Sequence, residues 1–238
     1  MTWSITSNGN SRFSKSGNTL SHTTMGTSVT TDTVTVKAVN GSSSSATDTD
    51  SASITNAVTN SDYNGSNSSY WASVSIGSGL SAGGGSATVS ASAGHTHTYY
   101  YYYTSGSTSG PYTSSPSDSV TWSITSQTFT PSGGSASSIS RFSQSGNTLS
   151  HTTMGTNVGT DAVNVRAVNS SSSSATKDAS TSITNGVESI SLSVTTNPIS
   201  YNGTTTCSVT ATYTSGSTAD VTTGASYSSS PTGIVTIS

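Results

Sequence analysis

The sequence has little charge, almost no cysteine and no long apolar run, and each shortage removes a class of function. Only 6% of its 238 residues are charged and the net charge is -3. No basic stripe is available to follow a phosphate backbone, and no polybasic patch to hold an anionic membrane. Nucleic acid is therefore not an expected partner. Cys207 is the single cysteine, which excludes an internal disulfide and a thiolate metal cluster. No segment approaches the roughly 18 apolar residues of a membrane span, and the first residues lack the basic and apolar regions of a signal peptide. Hydrophobic residues are scarce too, at 29%. That scarcity usually marks disorder, but disordered chains are also highly charged and poor in β-branched residues, and this chain is neither.

What it has instead is Ser and Thr, which fill roughly 44% of its positions, far above the ordinary share. Thr and Val together favour strands. A sheet buried on one face needs an apolar residue only at every second position, so a sandwich of short strands can fold with few hydrophobes. Strands are predicted at Trp3–Thr6, Thr19–Ser21, Thr33–Val39 and Ser51–Thr55, each alternating and bounded by Gly, Asn or Ser clusters. Along the third, Val34, Val36 and Ala38 share the face expected to point inward. Cys207 alternates with Val209, Ala211 and Tyr213, which casts it as a small core hydrophobe. No window carries a helical stripe.

Self-comparison is the most informative reading. Arg12 to Asn56 recurs as Arg141 to Asn185 with about three quarters of positions identical, the mark of a modular array. The upstream TWSITS of Thr2 to Ser7 recurs at Thr121 to Ser126, followed in the second copy by an insertion of about ten residues that a loop is expected to absorb. The C-terminal IVTIS aligns with SVTWS around Val120. Residues 1–57 therefore read as the C-terminal half of one sandwich, 58–185 as a complete one and 186–238 as the first half of another. An orphan half would expose strand edges and half a core, so flanking sequence is expected.

Val187 to Ser238 resembles the opening part of bacterial Ig-like group 2 domains. An opening strand (Ile190, Leu192, Val194) carries the likeness, with a Gly before the alternating strand Cys207 to Tyr213 and the hairpin YTSGSTADVT. The hairpin leads to ASYSSS, where Tyr227 stands at a position often held by Trp. The repeat text RFSKSGNTLSHTTMGT is similar to Ig-like repeats in structural proteins of bacteriophages. The resemblance implies an all-β fold of tandem immunoglobulin-like antiparallel β-sandwich modules, with no catalytic residues. It further implies an extracellular place, on a virion as fibre or capsid decoration or on a bacterial surface as adhesin or stalk spacer. The expected partners are neighbouring modules and cell-surface or mucus glycans.

The most unusual local text is AGHTHTYYYYYTSGSTSGPY. In a strand, His95, His97, Tyr99, Tyr101 and Tyr103 share one face, and Tyr100 and Tyr102 the other. Exposed Tyr100 and Tyr102, with Tyr112 nearby, are the candidate ligand-binding residues, since Tyr offers amphipathic contact area at low entropic cost. The bland alternative is packing against a neighbouring strand. His95 and His97 lack an evident third metal ligand. The acidic pair Asp48 and Asp50 is replaced around Lys177 and Asp178 in the second copy, so it reads as solvated charge rather than a calcium site. Asp32 and Asp161 recur before the alternating strand and are expected to bond turn amides, while His22 and His151 are expected to serve the turn before TTMGT. No G-x-S-x-G elbow occurs, and Gly83–Gly85 lacks the Lys of a phosphate loop. No metal, cofactor or catalysis is expected.

Overall fold

The computed structural model describes residues 1–195 and 199–230, so the IVTIS alignment lies outside the described residues. The protein is all-β. Its strands are β1 (Thr2–Asn8), β2 (Phe13–Ser16), β3 (Thr19–His22), β4 (Thr30–Asn40), β5 (Ser43–Asn56), β6 (Val58–Ile76), β7 (Gly85–Tyr103), β8 (Thr108–Ser114) and β9 (Ser117–Asp118). They continue with β10 (Val120–Pro131), β11 (Ser137–Ser138), β12 (Phe142–Ser145), β13 (Thr148–His151), β14 (Gly159–Asn169), β15 (Ser172–Asn185), β16 (Val187–Val194), β17 (Cys207–Tyr213) and β18 (Thr218–Asp220). The four predicted strands of the first repeat all form, each somewhat longer than the alternation alone marks, and β2 joins them.

The chain divides into two compact units, Met1–Ser69 with His95–Pro116, and Tyr70–Gly94 with the chain from Ser117. In the first, β4 lies between β1 and β5 in an antiparallel sheet, with Trp3 opposite Ala38 and Val36 opposite Asp50. β2 and β3 form a hairpin that sets Phe13 opposite His22. Phe13, Met25 and Val34 are buried. Trp3, Leu20, Val36 and Ala38 are only half-buried, so the inward face expected of Val34, Val36 and Ala38 closes at Val34 and opens beyond it.

The second unit is a closed sandwich. One layer is β11-β10-β14-β15, and the other has the order β12-β13-β7-β6, drawing on Gly85–Gly94 of β7 and Tyr70–Ile76 of β6. Alternation delivers Trp122, Val163, Val165, Ala167 and Ile183 from the first layer and Val89, Phe142 and Leu149 from the second into one core. Leu149, Val163, Val165 and Ala167 have no exposed surface. The insertion after Ser126 does not form a plain loop: it lengthens β10 to Pro131 and adds β11, whose Ser137 and Ser138 pair with Phe129 and Thr128. Strand pairing satisfies backbone groups that a buried loop would leave open.

A separate sheet, β16-β17-β18, belongs to the second unit. Val209, Ala211 and Tyr213 are buried as their alternation requires. Cys207 is exposed, which corrects its reading as a core residue. It pairs with Val194 at the last rung of the β16–β17 ladder, and Val194 is itself 39% exposed. The apolar layer ends before reaching that rung.

Candidate functional site

The tyrosine run lies on β7, which pairs with β8 so that Tyr99 faces Tyr112, with a bulge between Tyr99 and Tyr101. On one side, His97 stacks on Tyr99 at 5.7 Å between ring centroids, Tyr99 meets Tyr101 at 5.7 Å, and Tyr112 touches both, at 5.9 and 4.9 Å. The Tyr112 hydroxyl donates to Ser109 Oγ at 3.1 Å. A hydrogen bond with Tyr99, the charge of that neighbour and partial burial push the Tyr101 phenol above its ordinary value. On the other side, Tyr102 packs on Tyr63 at 5.1 Å, and the Tyr100 ring lies close over Gly110. The three candidates are therefore not one platform. Tyr112 joins Tyr99 and Tyr101, while strand alternation turns Tyr100 and Tyr102 the opposite way.

His97 is committed within the first unit: its Nε2 meets Asp62 Oδ1 at 2.9 Å and its Nδ1 meets Asn67 Oδ1 at 2.6 Å. Among the described residues, no three His, Cys, Asp or Glu side chains gather as a metal site. Asp48 and Asp50 each accept a hydrogen bond from the next residue's backbone N–H and are exposed.

Asp32 and Asp161 do not bond turn amides. Asp161 is fully buried and takes Arg141 through two hydrogen bonds, from Nε at 2.6 Å and Nη2 at 2.5 Å, with His151 Nε2 at 2.9 Å. Asp32 takes Arg12 Nη1 on both oxygens at 2.9 Å, His22 Nε2 at 2.9 Å and the Asn10 amide. A guanidinium offers a charge-assisted bond that a neutral amide cannot match, so the Arg at the head of each repeat, rather than the turn, claims the carboxylate. His151 has its second nitrogen, Nδ1, on the Ser81 carbonyl at 2.9 Å. With both ring nitrogens engaged, this buried cluster ties strands together and offers no free base.

The strongest constellation is one that sequence reasoning overlooked. Asn56, buried at the end of β5, donates from Nδ2 to the carbonyls of Gly26 and Ser28 at 3.0 and 2.9 Å. Its Oδ1 accepts from Thr104 Oγ1 and the Ser105 N–H, both at 3.0 Å, and Ser105 Oγ donates to the Gly26 carbonyl at 2.6 Å. The same set recurs at Asn185. Its Nδ2 donates to Gly155 and Asn157 at 2.9 Å, and its Oδ1 accepts from Thr214 Oγ1 at 2.8 Å and Ser215 N–H at 2.9 Å. Ser215 Oγ then bonds the Gly155 carbonyl at 2.6 Å. Gly26 and Gly155 both sit at φ +58°, the left-handed conformation that aims these carbonyls and that side-chain-bearing residues rarely adopt. The hidden signal is the hexapeptide YTSGST, present at Tyr103 to Thr108 and again at Tyr213 to Thr218.

Each joint thus binds the last strand of one repeat to a turn of the segment that follows, between β7 and β8 in one case and between β17 and β18 in the other. The Asn supplies two donors and one doubly used acceptor, and these bonds satisfy the polar atoms of a side chain that is itself buried. No family model, no curated protein and no solved structure matches the chain.

Proposed function

We propose that this chain is part of a non-enzymatic display array of Ig-like β-sandwich modules, carried on a bacteriophage virion as fibre or capsid decoration, that attaches weakly and multivalently to surface glycans. The observation that carries the reading is the recurrence of one joint, bond for bond, at Asn56 and Asn185. A chain that repeats the connection between modules as faithfully as the modules themselves is suited to holding something at a distance. The ionisable clusters support a structural role, since Asp32 and Asp161 are saturated by Arg and His partners.

Attachment is assigned to the face bearing Tyr99, Tyr101 and Tyr112, where three touching rings continue onto His97 and give sugars an apolar surface edged by hydroxyls. Single contacts of this size are weak, and many copies on one particle supply the strength. On a glycan array, a Tyr101→Ala, Tyr112→Ala double variant is expected to lose about tenfold or more of the wild-type signal, while Tyr100→Ala, Tyr102→Ala keeps most of it. Equal signals from all three proteins, or none from wild type, would reject the assignment. Mass spectrometry of purified virions tests the setting. The same joint also suits a bacterial surface stalk, and recovery of these peptides from cell envelopes instead of particles would favour that reading.

A further inference from the structure

Unit 1 repeats the residues that seat the hairpin Tyr70–Gly94 in unit 2, yet it has no counterpart of that hairpin among its described residues. In unit 2 the seat has four parts. The edge of β13 pairs with β7, Leu149 opposite Ala87, Ser150 opposite Ser86 and His151 opposite Gly85. The apolar face of Trp122, Leu149, Val165 and Ala167 is buried in a core that includes Val89 and Ala82, with Ala72, Val74 and Ile76 packed against it. Asn169 Nδ2 donates to the carbonyls of Trp71 and Gly94, both at 3.1 Å. The Ser81 carbonyl meets His151.

Every seat residue has its match in unit 1: Trp3, Leu20, Val36 and Ala38 for the face, Thr19–His22 for the edge, Asn40 for the clamp and His22 for the ring. Here β3 pairs only with β2 among the described strands. The face stands half-exposed around a groove of about 130 Å³ lined by Trp3, Val36 and Ala38 and, from β5, by Asp48, Thr49 and Asp50. Asn40 is exposed, keeping the turn bond from the Ser42 N–H that Asn169 also keeps from Ser171.

We infer that unit 1 is an acceptor for a β-hairpin of the Tyr70–Gly94 kind, offered by a neighbouring module of the same repeat. The occupant adds a strand to β3, in the register Leu20 to Ala87, Ser21 to Ser86 and His22 to Gly85, and lays its small apolar residues on Trp3, Val36 and Ala38. The interface is already made once in this molecule, and about three quarters of the repeat carrying its acceptor side is unchanged between the units. Strand addition supplies backbone hydrogen bonds and the alternate side chains select the register. The hairpin holds no Asp, Glu, Lys, Arg or His, so it brings no charge of its own to a groove that already carries the exposed Asp48 and Asp50. This goes beyond the display reading and rests only on its modular part; the glycan array can fail without touching it.

The register makes the test sharp. In unit 2 the Ser86 and Ser150 hydroxyls are 2.9 Å apart, a cross-strand closeness within reach of a disulfide, for which Cβ atoms must come to about 3.5–4.5 Å. The full chain carrying Ser21→Cys and Cys207→Ser is mixed with a synthetic peptide of residues Tyr70–Gly94 bearing Ser86→Cys, or Ala87→Cys as the out-of-register control, under mild oxidation. The expected result is a one-to-one adduct with the first peptide at least about tenfold more abundant than with the second. Slowed hydrogen exchange in Thr19–His22 and Thr30–Asn40 on adding the unmodified peptide to the unmodified chain is the second expected readout. No adduct, equal yields from both peptides, or Ser21→Cys dimers that excess peptide does not displace would overturn the inference, the last by naming a second copy's β3 edge as occupant.

Discussion

Val36 and Val165 occupy the same place in two nearly identical repeats, yet one is half-exposed and the other has no exposed surface. The same holds for Leu20 and Leu149 and for Ala38 and Ala167, and Trp3 is half-exposed where Trp122 is buried. Residues that coincide in sequence and in strand register differ in burial because burial is a property of what covers a face, and only the second unit holds the covering hairpin. Near Asp32 and Asp161 the difference vanishes, since both carboxylates are fully buried. Each repeat therefore has an end that closes by its own means and an end that requires a supplied strand pair.

The largest expected effect breaks this pairing at the core. Leu149→Ala empties a fully buried site and is expected to cost about 3 kcal/mol, read as faster hydrogen exchange across Gly159–Asn169 and a lower denaturation midpoint for that unit. Leu20→Ala removes a half-buried side chain and is expected to cost less than about 1 kcal/mol. Comparable losses from the two substitutions would mean that the face of unit 1 is covered after all.

The joint predicts the reverse, equality. Asn56→Ala and Asn185→Ala each strip two donors from part-buried carbonyls and an acceptor from a Thr hydroxyl and a backbone N–H, at a cost of about 2 kcal/mol in either unit. Asn→Asp at either place is expected to be no milder, because a carboxylate cannot donate to the two carbonyls. Stability measured on the two alanine variants side by side should shift by similar amounts. A clear asymmetry would show that one joint does less than its bond pattern requires.

Much of this architecture was legible in the sequence, and the failures have physical causes. Alternation located the strands of the first repeat because its inward positions hold Val and Ala while its outward ones hold Ser and Thr. It could not tell Val36 from Val165, whose surroundings differ through residues 70–94 and through the strand partner, Asp50 for one and Ala179 for the other. Asp32 and Asp161 were recognisable as structural, but their partners were misjudged because Arg12 and Arg141 reach them from twenty residues away, beyond local turn chemistry. The tyrosine faces followed from the period of two, whereas the β7–β8 register that sets Tyr112 opposite Tyr99 did not, and Tyr112 stands with Tyr99 and Tyr101 rather than with Tyr100 and Tyr102. The joint escaped because its two hexapeptides stand at different distances from Asn56 and Asn185, so a search at one fixed period passes over them.

Acid is expected to act most weakly and on both units. Burial raises the pKa of Asp32, but hydrogen bonds from Asn10, His22 and Arg12, together with the Arg12 charge, outweigh it and lower the value from 3.8 to about 2. Burial likewise opposes, and Arg141 and His151 overcome, the shift at Asp161, which also ends below its ordinary value. A carboxyl that is more acidic folded than unfolded adds stability that is complete above its unfolded pKa and disappears as pH falls through the folded one. The first unit should therefore lose this contribution between about pH 4 and about pH 2, the second should lose its own as pH falls below about 4, and both should be insensitive to these two groups above about pH 5. Asp32→Asn should flatten the acid slope for Thr30–Asn40 while leaving that of Gly159–Asn169 unchanged, as followed by hydrogen exchange at stepped pH. An unaltered slope in the first unit would mean that Asp32 is not the group whose protonation loosens it, and that the resemblance between the two buried clusters stops at geometry.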